Sequence, residues 1–113
     1  MKLGKLFELA VNVGRRNDPR GAPRVSKELK RLRDSFKEMS RREKRIFDRE
    51  RLENPYADTR ILCGDPSAEI RGVLVGIDID VGEIMLADSL RGKGRRIDLV
   101  LSHHPVGRAY AAF

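Results

Sequence analysis

The chain has 113 residues, 36% of them charged and 5% aromatic, with one cysteine, no tryptophan and a net charge of +7. At ~100–200 residues per domain this length excludes a two-domain enzyme with an interdomain cleft, and a lone cysteine excludes an internal disulfide framework. The longest apolar stretch, residues 72–77, is far short of the ~20 residues of a membrane span, and Glu8 breaks the apolar run where a signal-peptide core would lie. A cytoplasmic protein with no membrane partner is therefore expected.

The N-terminal half reads as helical. Leu3, Leu6, Phe7, Ala10 and Val13 recur at three- and four-residue steps, which predicts an amphipathic helix over 3–13 with Gly14 as its stop. Asn17-Asp18-Pro19-Arg20-Gly21 is a turn by composition. Val25, Leu29, Leu32, Phe36 and Met39 then form the narrow apolar seam of a second helix. Ser40 and Glu43 have capping-box spacing, so a third helix starts there, with Ile46 and Phe47 inward and Asn54-Pro55 as its end.

Past Pro55 the pattern changes period. Residues 59–62 suggest a short strand before the turn Gly64-Asp65-Pro66. Val73, Val75, Ile77 and Ile79 alternate with Leu74, Gly76, Asp78 and Asp80, a β-branched strand expected to bury its odd face. A helix over 82–90 follows, with Ile84, Met85 and Leu90 inward and Gly92-Lys93-Gly94 closing it. Residues 98–102 form a second strand. Strand, helix and strand within about 32 residues make a βαβ crossover with parallel strands. The fold class is α/β: a βαβ unit of a larger mixed or parallel sheet, with an N-terminal helical extension. Residues 1–53 are the basic extension and 54–113 the start of the α/β domain.

Two parallel strands do not stand alone, and the chain closes on the apolar run 109–113. The expectation is a portion of a longer protein, with a small domain completed by oligomerisation as the alternative. Charge divides unevenly: residues 1–60 hold 18 Lys/Arg against 10 Asp/Glu, whereas residues 61–113 hold 6 against 7. A polyanion would suit the basic half. Ten acids interspersed among the bases favour a solvated helix surface instead, so nucleic acid is not the favoured partner.

Ser102-His103-His104-Pro105 holds both histidines of the chain at the carboxyl end of the second strand, where open α/β sheets bind ligands. Neutral imidazole is the commonest metal ligand. Neighbouring strand residues point to opposite faces, so the pair suits two ions of a close dinuclear site better than one. Asp78-Ile79-Asp80-Val81, at the end of the first strand, resembles the first motif of haloacid-dehalogenase-type phosphatases. That resemblance implies Asp78 as nucleophile, Asp80 as general acid/base and Ser102 as a phosphate-binding hydroxyl. Its later lysine and acidic motifs have no counterpart here, and the competing reading is that Asp80 caps the next helix. Cys63 reads as a packing residue.

Ile97-Asp98-Leu99-Val100-Leu101-Ser102-His103-His104-Pro105 and Val75-Gly76-Ile77-Asp78 together resemble the Nif-three-like family, also described as dinuclear-metal-centre hexameric or GTP cyclohydrolase I type 2-like proteins. A longer-tailed branch is similar through residues 54–62 and Val81-Gly82-Glu83, and more faintly through Asp18-Pro19-Arg20-Gly21. The resemblance implies two divalent metal ions (zinc, iron or manganese), one each on His103 and His104, and a hexamer. It also implies metal-dependent hydrolysis of a nucleotide-like substrate. The family's other ligands, an Asp and a later His and Glu, have no counterpart up to Phe113, and Val106 stands where an acidic residue is common. A non-enzymatic regulatory protein that holds partners on its basic arm is the competing class.

Overall fold

The computed structural model describes residues 1–105; Val106 and the apolar run 109–113 lie outside them. In chain order the elements are helices α1 (Leu3–Asn17), α2 (Ala22–Glu38) and α3 (Arg41–Ile46), then a 3₁₀ turn (Arg49–Leu52). Strand β1 (Val73–Ile79), helix α4 (Val81–Gly92) and strand β2 (Leu99–Pro105) follow. The chain divides into two compact units, one of Leu9–Ala57 and one of Met1–Glu8 with Asp58 onward. The division falls inside α1, so the first eight residues belong with the strands.

In the helical unit Val11, Val25 and Leu29 are buried. Helix α1 does not stop at Gly14 but runs on to Asn17. Gly14 instead makes room for a ring: a Cβ there would sit 2.9 Å from Cε2 of Tyr56. The Tyr56 hydroxyl donates to Asp18 Oδ2 at 3.0 Å. Arg20 grips the same carboxylate from Nε at 3.0 Å and from a terminal nitrogen at 2.8 Å, and its other terminal nitrogen reaches Glu28 at 2.7 Å. The Asp18 side chain is only 4% exposed. The loop between α1 and α2 is thus tied to the end of the unit through one carboxylate.

The third helix is shorter than its sequence pattern suggests. Its capping box forms, with Ser40 accepting from the Glu43 amide and Glu43 from the Ser40 amide. The helix ends at Ile46 because Phe47 turns extended, at ψ 133°, to lay its ring 5.0 Å from that of Phe36. Ile46 consequently points outward, 79% exposed. Asp48 caps the 3₁₀ turn that replaces the rest of the expected helix.

In the other unit, residues 59–62 form no strand. Leu62 is exposed and Thr59, Arg60 and Ile61 are half-buried. Lys2 and Glu69 form an antiparallel bridge instead, flanked by bonds from the Leu3 amide to the Ala68 carbonyl and from the Ile70 amide to the Met1 carbonyl. Cys63 is exposed rather than packed.

Strands β1 and β2 pair in parallel, from Val73 opposite Leu99 to Ile79 opposite Pro105. Helix α4 joins them, and Asp80 caps it by accepting from the Val81 amide at 2.7 Å while Glu83 accepts from the Asp80 amide at 2.9 Å. The predicted βαβ unit is therefore present, as is the α/β class with N-terminal helices. Burial of the odd face is confined to the end of β1, where Ile79 is buried, and to Leu99 of β2, which is half-buried. Val73, Val75 and Ile77 on the odd face are exposed, the last two at 68%, whereas Leu74, Gly76 and Val100 are half-buried. A single crossover helix covers one face only, and here it covers the even one. Within α4, Ala87 is the buried residue and Ile84 and Met85 are exposed. A small side chain at the contact lets helix and sheet approach closely.

The register starts at Gly72. Its carbonyl accepts from the amides of Asp98 at 2.8 Å and Leu99 at 3.2 Å. The Asp98 carboxylate accepts from the amides of Arg71 at 2.9 Å and Gly72 at 3.0 Å. Those two amides, reinforced by Arg96, hold the Asp98 carboxyl below its usual range. No side chain fits between the strands here, since a Cβ on Gly72 would lie 1.8 Å from the Arg96 carbonyl oxygen.

Two outcomes check this account. Gly72→Ala forces the backbones apart and should destabilise the fold by about 2 kcal/mol or more in urea unfolding, on the scale of core overpacking. Gly92→Ala, at a helical position with nothing within 4 Å, should be neutral or stabilising; equal stabilities for the two variants would contradict the clamp. The Asp18 carboxyl is held well below its usual value, first by the Arg20 side chain, then by the Arg20 amide and the Tyr56 hydroxyl. A depressed carboxyl stabilises the fold above its unfolded pKa of about 3.9, and that contribution is lost as pH falls through the folded value. Asp18→Asn should therefore lower the melting temperature at pH 7 and flatten its fall between about pH 4 and 2. A fall as steep as in the parent chain would show that Asp18 is not the group involved.

Candidate functional site

The register that begins at Gly72 ends at the residues singled out for chemistry. Pairing is constant along the strands, so Asp78 falls opposite His104, 26 residues on, as Val73 falls opposite Leu99. Asp78 Oδ1 lies 3.2 Å from His104 Nδ1. An ionised carboxylate only accepts, so Nδ1 is the donor in this contact. Both side chains are open to solvent, at 55% for His104 and 80% for Asp78. A carboxylate behind one imidazole nitrogen fixes ring orientation and raises the basicity of the other, the usual arrangement behind a metal-ligating histidine.

His103 sits beside this pair. The ring centroids of His103 and His104 are 4.4 Å apart, with planes inclined at 32°. The alternation of the strand had suggested rings on opposite faces. Alternation sets only the direction of Cβ, and two uncovered rings remain able to swing together about χ1 and χ2.

The remaining candidates have structural partners. Asp80 caps α4, and the Ser102 hydroxyl donates to the Ile77 carbonyl at 3.3 Å. Asp78 and Asp80 thus serve different neighbours, and Ser102 bonds within the sheet. Among the described residues no three His, Cys, Asp or Glu side chains converge on a point that would hold a metal ion. Two imidazoles with one orienting carboxylate fit part of a ligand set, where a catalytic zinc site takes three protein ligands. The contact of Asp78 with His104 is the feature that the sequence motif alone does not give. The constant offset of 26 residues between the two parallel strands, Val73 with Leu99 and Asp78 with His104, was the signal that could have found it.

Comparison with known proteins finds no matching family model, no similar curated protein and no matching solved structure. No helix among the described residues is long and apolar enough to cross a membrane.

Proposed function

We propose that the chain is the N-terminal part of a Nif-three-like dinuclear metal-binding protein, in which His103 and His104 each give one imidazole to a different divalent ion. The observation that carries this reading is the Asp78–His104 pair, which sets a carboxylate beside an imidazole at the open carboxyl end of a parallel strand. Further ligands would come from sequence beyond the described residues. The exposed apolar odd face of the sheet, Val73, Val75, Ile77 and Leu101, supports coverage by additional elements or by other copies in a homo-hexamer. Metal-dependent hydrolysis of a nucleotide-like substrate is the reaction that this family reading implies. The phosphatase reading is less favoured, because Asp80 and Ser102 are engaged in the cap and the sheet.

Zinc titration of the 113-residue chain tests the assignment. Binding should be weak, because one imidazole per ion is an incomplete set. His103→Ala and His104→Ala should each weaken it further, and Asp78→Asn should cost roughly 10–100-fold at the His104 ion alone. A double histidine variant that binds zinc as the parent does would contradict the ligand assignment.

A further inference from the structure

The whole net charge of the protein resides in one unit. Leu9–Ala57 contains 15 Lys/Arg against 8 Asp/Glu, a charge of +7, whereas the remainder of the chain holds 9 of each and is neutral. Read along the sequence, the interspersed acids appear to neutralise the bases. In three dimensions most of them are engaged within the unit. Asp18 is held by Arg20 and Tyr56, Glu28 by Arg20 and Arg24, and Asp34 by Lys37. Glu43 and Asp48 accept from backbone amides as helix and turn caps. The cations left over are therefore not cancelled by their neighbours in sequence.

Those cations form an ordered surface on α2. Val25 and Leu29 turn inward, so Lys27, Lys30 and Arg31 project from the opposite side and are exposed. Lys37, which pairs with Asp34 directly, lowers that carboxyl, and Lys30 one turn away helps to lower it. Arg24, Lys27 and Arg31 lie along this side of α2 with the Glu28 carboxylate, which pairs with Arg24, among them. A helix of 17 residues is about 25 Å long, most of a turn of duplex nucleic acid.

We infer that the exposed face of α2 binds the phosphate backbone of double-stranded nucleic acid without reading its sequence. The unit is rich in arginine, which matches phosphate geometry in a bidentate manner. It offers little to the bases: Tyr56 is tied to Asp18, and Phe36 and Phe47 pack on each other, so no aromatic platform is free for stacking. An anionic membrane is a poorer match, since an interfacial helix inserts its apolar face and that of α2 is buried.

The test is binding of the full chain to a 20-base-pair duplex, followed by fluorescence anisotropy across salt concentrations. With about four phosphates neutralised, log K should fall against log salt with a slope near −3.6. The triple variant Lys27→Gln, Lys30→Gln, Arg31→Gln should reduce that slope to about −1 and weaken binding on the order of a hundredfold at 0.1 M salt. The charge-matched control Arg91→Gln, Lys93→Gln, Arg95→Gln, in the neutral unit, should bind within about twofold of the parent chain. Circular dichroism should show unchanged helix in both variants. Single-stranded DNA of equal length should bind more weakly, and phosphatidylserine vesicles should not bind. Equal losses in the two triple variants, a slope near zero, a preference for the single strand, or vesicle binding without duplex binding would each overturn the assignment.

Discussion

The close approach of Gly72 to the backbone at Arg96 and Asp98 sets the geometry on which the candidate site depends. Four hydrogen bonds meet there, two accepted by the Gly72 carbonyl and two by the Asp98 carboxylate. They fix which residue of β1 lies beside which residue of β2. Parallel pairing then carries the same offset along seven residues to the far end of the sheet, where Asp78 meets His104. A slip of one residue would place Ile77 or Ile79 beside the histidine and leave its ring without an orienting carboxylate. The clamp at one end thereby decides the chemistry at the other.

The two units are stabilised in different ways. The helical unit has few buried apolar residues and relies on polar ties: the Asp18–Arg20–Tyr56 cluster, the Ser40–Glu43 capping box and the bond from Arg33 to the Leu52 carbonyl. The sheet unit is neutral and leaves one face of its strands uncovered. Polar ties within the helical unit also set its outward character. By engaging most of the acids they leave a cationic surface that the overall composition conceals.

Local patterns announced the elements well. The β-branched alternation of β1, the βαβ order and the Ser40–Glu43 capping box follow from period and spacing, and all are present. Quantities that depend on contacts between distant residues were not legible. Gly14 looked like a helix stop, yet its role is set by Tyr56, 42 residues later. Ile46 belonged to an apolar pattern, but Phe47 left the helix to meet Phe36 and turned Ile46 outward. The alternation of β1 pointed to its odd face as the covered one, but Val73, Val75 and Ile77 are exposed, because which face α4 covers is set by the crossover and not by the strand. At the site, His103 and His104 stood out by position, while the partner of His104 required the register. Asp80 was ambiguous between catalysis and capping, and its bonds to the start of α4 assign it to the cap.

The central claim is the register itself, and interstrand nuclear Overhauser effects on the isotope-labelled chain measure it most directly. Cross-peaks between the backbones of Val73 and Leu99, Val75 and Leu101, and Asp78 and His104 are the result expected. Cross-peaks displaced by one residue, joining His104 to Ile77 or Ile79, or an antiparallel pattern, would contradict it.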